Sequence, residues 1–188
     1  RRLIVYLHGF NSSPQSHKAQ LLREYMAERG MEHRYACPAL PPLPSQAIAA
    51  IEELVDAGVC FVGSSLGGFY ATYLAEKHGA RAVLINPAIE PHVGLRAYLG
   101  PQKNLHSGEP YELTERHLSE WQRLYVPRVS PERYLLLVET GDELLDYRAA
   151  VLRYAGAQQV VVHGGDHSLQ SFPRHLPRIF EFCRAAAV

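Results

Sequence analysis

Apolar residues in this chain follow two alternating rhythms. Short, mainly apolar runs occur at residues 3–7, 59–62, 81–85, 134–138 and 159–162, two of them opened by a polar residue (Arg81, Gln159) and most with β-branched members, and a weaker run covers 33–37. Runs of this length without polar alternation fit strands covered on both faces. Between them, apolar residues recur every three or four positions: Leu22, Tyr25 and Met26; Ile48, Ile51, Leu54 and Val55; Leu66, Tyr70, Tyr73 and Leu74. That spacing predicts amphipathic helices, with two more expected over 146–154 and 176–186. Ser13 with Pro14, and Ser45, are placed to open helices; Gly30 and Gly79 are placed to close them. Six strands alternating with helices predict an α/β fold: a three-layer αβα arrangement around a mainly parallel six-stranded sheet. Crossovers should be right-handed, and ligands should bind at the carboxyl ends of the strands.

Two stretches break the rhythm. Residues 38–44 hold Pro38, Pro41, Pro42 and Pro44, which forbid helix and central strand and leave a stiff extended connector, either a rigid pocket wall or a spacer. Residues 87–131 are richer in Pro, Gly, His and Tyr, with patchy helical periodicity near 112–124. They are expected to form a cap over the strand ends, an insertion within one domain spanning 1–188. The tyrosines and Trp121 of this cap either line an acyl pocket or form a small satellite core.

Composition narrows the function classes. The 188 residues carry 19 basic and 19 acidic side chains without a run of either sign, so no nucleic-acid or anionic-membrane partner is expected. No stretch approaches the ~20 apolar residues of a membrane span. The opening 1–7 resembles the start of a signal peptide, but the apolar run stops at His8-Gly9 without a cleavage site. Beginning on Arg1 rather than Met suggests trimming ahead of that residue. Cys37, Cys60 and Cys183 are odd in number and lack metal spacing; they read as reduced, mostly buried thiols of a cytoplasmic protein. His92, His106 and His117 show no metal-ligand spacing either, so neither a metal nor another cofactor is expected.

The chemistry concentrates where the third strand meets its helix. Gly63-Ser64-Ser65-Leu66-Gly67 reads G-x-S-x-G, the strand–turn–helix elbow that exposes a serine at the top of an α/β-hydrolase sheet. Choosing Ser65 puts Gly63 and Gly67 two residues away on either side, where strand and helix cross too closely for side chains. Choosing Ser64 would put Val62 and Leu66 there. A phosphate-binding glycine loop is the competing reading, but no lysine follows and no G-x-G-x-x-G fits. A serine needs a base, and the base needs an acid to orient it, in the chain order Ser, Asp/Glu, His for this fold. Asp142, in the turn after the fifth strand, is preferred as the acid over Glu139, Glu143 and Asp146, the last of which suits a helix N-cap. His167, after a Gly-Gly pair, is preferred as the base over His163, and Asp166 adjoins it too closely in sequence to orient its ring. Backbone N–H groups of Leu66 and Phe10 are the candidate oxyanion donors, with His8 bracing the loop after the first strand.

The segments Leu7-His8-Gly9-Phe10-Asn11-Ser12-Ser13-Pro14, Val62-Gly63-Ser64-Ser65-Leu66-Gly67-Gly68, Ile85-Asn86-Pro87-Ala88, Tyr98-Leu99-Gly100, Thr140-Gly141-Asp142-Glu143-Leu144-Leu145-Asp146-Tyr147 and Gly164-Gly165-Asp166-His167 together resemble the YqiA-like esterases, small single-domain α/β-hydrolases. The resemblance runs almost end to end. It implies Ser65, Asp142 and His167 as a catalytic triad acting on a small carboxylic ester or acyl-CoA thioester. The alternative is a catalytically weak protein of the same fold that binds a small ligand.

Overall fold

The computed structural model describes residues 2–185. Its main sheet has six strands: β1 (Ile4–Leu7), β2 (Tyr35–Ala36), β3 (Cys60–Ser64), β4 (Arg81–Ile85), β7 (Tyr134–Glu139) and β8 (Gln158–Val162). They lie in the order β2-β1-β3-β4-β7-β8, and every neighbouring pair is parallel. The helices are α1 (His17–Ala27), α2 (Pro44–Glu52), α3 (Leu66–His78), α4 (Pro91–Gly94), α5 (Glu115–Leu124), α6 (Tyr147–Arg153) and α7 (Phe172–Arg184). This is the α/β-hydrolase fold with helices on both faces of the sheet.

The apolar runs of β1, β3, β4 and β7 become central strands because each buries two faces, whereas the edge strand β8 leaves Val161 exposed. Ile4, Tyr6, Val62, Val83, Ile85, Leu135 and Leu137 point to one side, where Leu22 and Met26 of α1 and Ile179 of α7 cover them. Val5, Leu7, Phe61, Leu84, Leu136 and Val138 point to the other, beneath Ile51, Leu74, Trp121 and Ala150 of α2, α3, α5 and α6. Because alternate residues serve opposite cores, a one-residue register slip would exchange the two sets of side chains.

Several element boundaries differ from the sequence expectation. Ser13 does not open α1: its hydroxyl accepts from Gln15 N–H at 3.0 Å in a turn, and the helix begins after Ser16. Ser45 does not cap α2 with its side chain. Instead Pro44 takes the first turn, and Ser45 N–H donates to Glu120 Oε1 at 2.8 Å from α5, a carboxylate at a helix N-terminus. Burial pushes the Glu120 carboxyl up, yet its bonds from Ser45 and Arg116 leave it below the ordinary carboxylate range. Helix α7 starts at Phe172 rather than 176, because Pro173 fits the first turn and Pro177 is tolerated inside. Its expected end at Ala186 lies outside the described residues.

Between β4 and β7 the chain leaves the sheet, as expected. It forms α4, an antiparallel hairpin of β5 (Gly100–Lys103) and β6 (Pro110–Leu113), and α5. The hairpin has only a weak sequence signal, since Gly100-Pro101-Gln102-Lys103 holds no apolar alternation and β6 alternates over just Tyr111, Glu112 and Leu113. A further correction concerns the cysteines. Cys60 and Cys183 are joined as a disulfide with Cα atoms 5.4 Å apart, because the first residue of β3 faces the last turn of α7; Cys37 is free. Among the described residues no helix is long and apolar enough to cross a membrane.

Trp121 ties the segment between β4 and β7 to the sheet. It is 1% exposed, and its Nε1–H donates to Tyr70 Oη of α3 at 2.9 Å. Trp121→Ala should cost about 3–5 kcal/mol, read as a lowered urea midpoint. A loss under about 1 kcal/mol would show that α5 packs independently of the core.

Candidate active site

Strand β3 passes into α3 through a single residue, Ser65, at φ 55° and ψ −116°. A non-glycine residue held there is strained by roughly 1–3 kcal/mol. Neighbouring segments hold the bend: Ser65 N–H donates to Ile85 O at 3.0 Å, and Ser65 O accepts from Ala88 N–H at 2.9 Å. A Cβ on Gly63 would stand 2.2 Å from Gly67 O, and one on Gly67 would stand 1.9 Å from Leu7 O. These are the two positions at which the sequence required glycine. Gly68 is a third, since its Cβ would meet Pro87 Cβ at 2.7 Å.

The bend presents Ser65 Oγ 3.1 Å from Nε2 of His167, on the loop after β8. The other ring nitrogen, Nδ1, lies 2.9 Å from Oδ2 and 3.1 Å from Oδ1 of Asp142, on the loop after β7. The Asp142 side chain is only 3% exposed, and with its oxygens as acceptors Nδ1 is the donor of the ring and Nε2 the nitrogen that faces the serine hydroxyl. Main-chain N–H groups of Leu144 and Leu145 donate to Oδ1, each at 2.9 Å, and hold the carboxylate in place.

The rival acids and bases lie elsewhere. Asp146 caps α6 through Arg148 N–H at 3.0 Å and pairs with the Arg148 guanidinium. Asp166 caps its own turn through Ser168 N–H at 2.9 Å, and His163 is exposed. Glu143 and Glu139 bind backbone rather than the His167 ring, Glu143 through His167 N–H at 3.1 Å. Sequence reasoning treated these two only as competing acids. No signal in the chain separates a carboxylate that meets a ring from one that meets a loop.

The loop after β1 runs against the elbow, with a Gly9 Cβ position 3.5 Å from Ser65 Cβ. Among the described residues no backbone acceptor takes the Phe10 or Leu66 N–H. His8 braces this loop: Nδ1–H donates to Gly9 O at 3.0 Å and Nε2 accepts from Leu40 N–H at 3.0 Å, tying in the proline connector. A cavity of about 730 Å³ opens beside the elbow, walled by Phe10, Leu66, Tyr70, Trp121, Leu40 and Tyr111. The connector is thus a wall rather than a spacer, while Trp121 both fills the core and faces the cavity. The hairpin closes one side. Asn11 Nδ2 donates to Gln102 Oε1 at 3.1 Å, Tyr111 Oη–H donates to Asn11 Oδ1, and Asn104 Nδ2 donates to Ser12 O at 2.8 Å. Sequence reasoning gave Asn11 no role of its own, and only the structure shows it at a positive φ of 58°, a region that Asn tolerates better than most residues. Among the described residues no group of three or more His, Cys, Asp or Glu side chains is arranged to hold a metal.

Known proteins resemble this chain in sequence and in fold. The model of the uncharacterised protein family UPF0227 matches residues 3–184. The chain belongs to the UPF0227 family. UPF0227 proteins of Yersinia enterocolitica and Serratia proteamaculans are each 25% identical over 96% of this chain and 98% of their own length. Similar folds occur in a protein from Agrobacterium vitis S4 (18% identity, 97% of this chain, 88% of that one, TM-score 0.75). Alpha/beta hydrolase domain-containing protein 10 from mouse aligns at 15% identity over 95% of this chain and 87% of its own, TM-score 0.72. Est1E from Butyrivibrio proteoclasticus aligns at 15% identity over 96% and 86%, TM-score 0.66.

In this UPF0227 chain the imidazoles that brace the scaffold are buried. Burial pushes His8, His117 and His175 below the ordinary imidazole value. His8 uses Nε2 as an acceptor, and His117 Nδ1 accepts from Thr114 N–H at the start of α5, so these two act as neutral rings. With folded values below the unfolded value of about 6.5, the unfolded chain binds more protons below that pH. Their contribution is fully present above about pH 6.5 and declines as pH falls from there. The urea midpoint should therefore drop between about pH 7.5 and about pH 5.5; a constant midpoint would contradict neutral buried rings.

Proposed function

We propose that this protein is a serine esterase that cleaves small carboxylic esters or acyl thioesters through an acyl-enzyme. The observation that carries this reading is the continuous line Ser65 Oγ, His167 Nε2, His167 Nδ1, Asp142 Oδ2, with polar contacts of 3.1 and 2.9 Å. A hydroxyl becomes a competent nucleophile when a neutral imidazole can take its proton as it attacks. Ser65 Oγ adds to the substrate carbonyl carbon while its proton passes to His167 Nε2. Asp142 stabilises the resulting imidazolium and keeps the proton of Nδ1 in place.

The tetrahedral oxyanion is received by the N–H groups of Leu66 and Phe10, donors of a kind worth about 3–4 kcal/mol each. His167 then protonates the leaving alcohol or thiol, giving an acyl-Ser65 ester. Water attacks that ester with His167 again as base, and collapse returns the serine and releases the acid. The cavity beside Leu66 and Phe10 receives the acyl group against aromatic and proline surfaces, and the segment between β4 and β7 serves as its cap. No step calls on a metal or an organic cofactor.

A serine-directed aryl phosphonate should add one adduct mass to the protein at Ser65 and none to Ser65→Ala. A wild-type protein that takes no label and cleaves neither aryl esters nor acyl thioesters would overturn the reading and favour a ligand-binding role. Asp142→Asn should lower kcat by roughly 10³–10⁴-fold. Asp146→Asn, which alters a helix cap, should stay within a few-fold of wild type; the reverse ranking would reassign the acid.

A further inference from the structure

Glu139 is the last residue of β7, three positions before Asp142, and it is 1% exposed. A buried carboxylate is tolerated only where donors surround it. Four donors do so, all from the segment that carries His167. Asp166 N–H reaches Oε1 at 3.0 Å and Gln170 N–H at 3.1 Å, Ser171 N–H reaches Oε2 at 2.9 Å, and the Ser171 hydroxyl donates to Oε2 as well. The donors bracket His167, one residue before it and three and four after. Gly165 passes so close that a Cβ there would stand 1.8 Å from Oε1. Burial pushes this carboxyl up, but the bonds from Ser171, Asp166 and Gln170 outweigh it and hold it below the ordinary carboxylate range.

The approach to this segment has little rigidity of its own. Gly164 and Gly165 sit at φ 81° and 70°, where glycine has no preference of sign, and the Asp166 side chain bonds to Ser168 of its own turn. Two more tethers reach the same turn: Lys18 Nζ donates to Ser168 O at 2.7 Å, and Asn86 Nδ2 donates to His167 O. Among the described residues Glu139 gathers more of the turn's main-chain donors than any other side chain, and the ring nitrogens of His167 bond to Asp142 and Ser65 instead.

We propose that Glu139 is a positioning residue for His167, fixing the backbone from which the imidazole reaches Ser65. The inference rests on the serine-esterase reading above. Two carboxylates at the end of one strand then take separate roles, Asp142 orienting the ring and Glu139 placing the turn that bears it.

Glu139→Ala and Glu139→Gln, measured with an aryl ester well below their melting temperatures, test this. Misplacement of a catalytic group by about 1 Å is worth up to ~100-fold in rate. Glu139→Ala should therefore lose roughly 10- to 100-fold in kcat with KM within about threefold of wild type. The downfield proton resonance of the His167 Nδ1–H···Asp142 bond should broaden or shift in parallel. Glu139→Gln keeps one oxygen for Asp166 and Gln170 and should recover most of the loss. If the alanine variant does not fold, the glutamine variant carries the test alone, with a loss of a few-fold in kcat at unchanged KM. A folded variant that keeps both wild-type kcat and the downfield resonance, while only melting earlier, would make Glu139 merely structural and overturn the proposal. A wild type that is labelled and active while the variants match it sinks this inference alone; an unlabelled, inactive wild type sinks both.

Discussion

Everything in this molecule is arranged around one steric constraint: β1, β3 and α3 meet with no room between them for a side chain. Gly63 faces the carbonyl of Gly67, and Gly67 faces the carbonyl of Leu7, at separations that a methyl group could not occupy. The residue between them must bend sharply, and Ser65 does so at a positive φ that an isolated peptide would rarely hold. The cost is met by the sheet, whose two apolar cores clamp β3 on both sides and whose neighbour β4 supplies a hydrogen bond to Ser65 N–H. The bend turns the Ser65 hydroxyl outward and holds it 3.1 Å from an imidazole nitrogen on another loop.

Around that point the structure relies on carboxylates that bind main chain. Glu120 satisfies the N-terminus of α2, Glu143 holds His167 N–H, and Glu139 collects the turn that follows. The two buried ones, Glu120 and Glu139, offset a desolvation that alone is unfavourable with several charge-assisted hydrogen bonds. The result is a site whose parts come from distant stretches yet are held at the same end of one sheet, by β3, β7 and β8. The walls of the neighbouring cavity follow the same logic. His8 pins the proline connector through Leu40 N–H, and Asn11 pins the β5–β6 hairpin through Gln102 and Tyr111.

Much of this was legible in the order of residues. Apolar runs at 3–7, 82–85 and 134–138 announced strands buried on both faces, and the glycines two residues before and after Ser65 selected it over Ser64. Asp142 and His167 could be singled out because each follows a strand in the required order. Helix caps were less legible. Ser13 and Ser45 have the right chemistry for capping, yet one closes a turn and the other leaves its helix to Glu120, since a cap is decided by whichever acceptor is nearest in space.

The sequence by itself therefore determined the strands, the elbow and the identity of the serine at the bend, because these depend on local periodicity and on where a Cβ is forbidden. Only the tertiary structure decided which carboxylates meet a ring and which meet a loop, that Cys60 and Cys183 face each other across 123 residues, and that a hairpin with little apolar pattern walls the cavity. Those outcomes depend on partners brought together by crossovers, and no spacing along the chain encodes which distant donor a buried side chain will find.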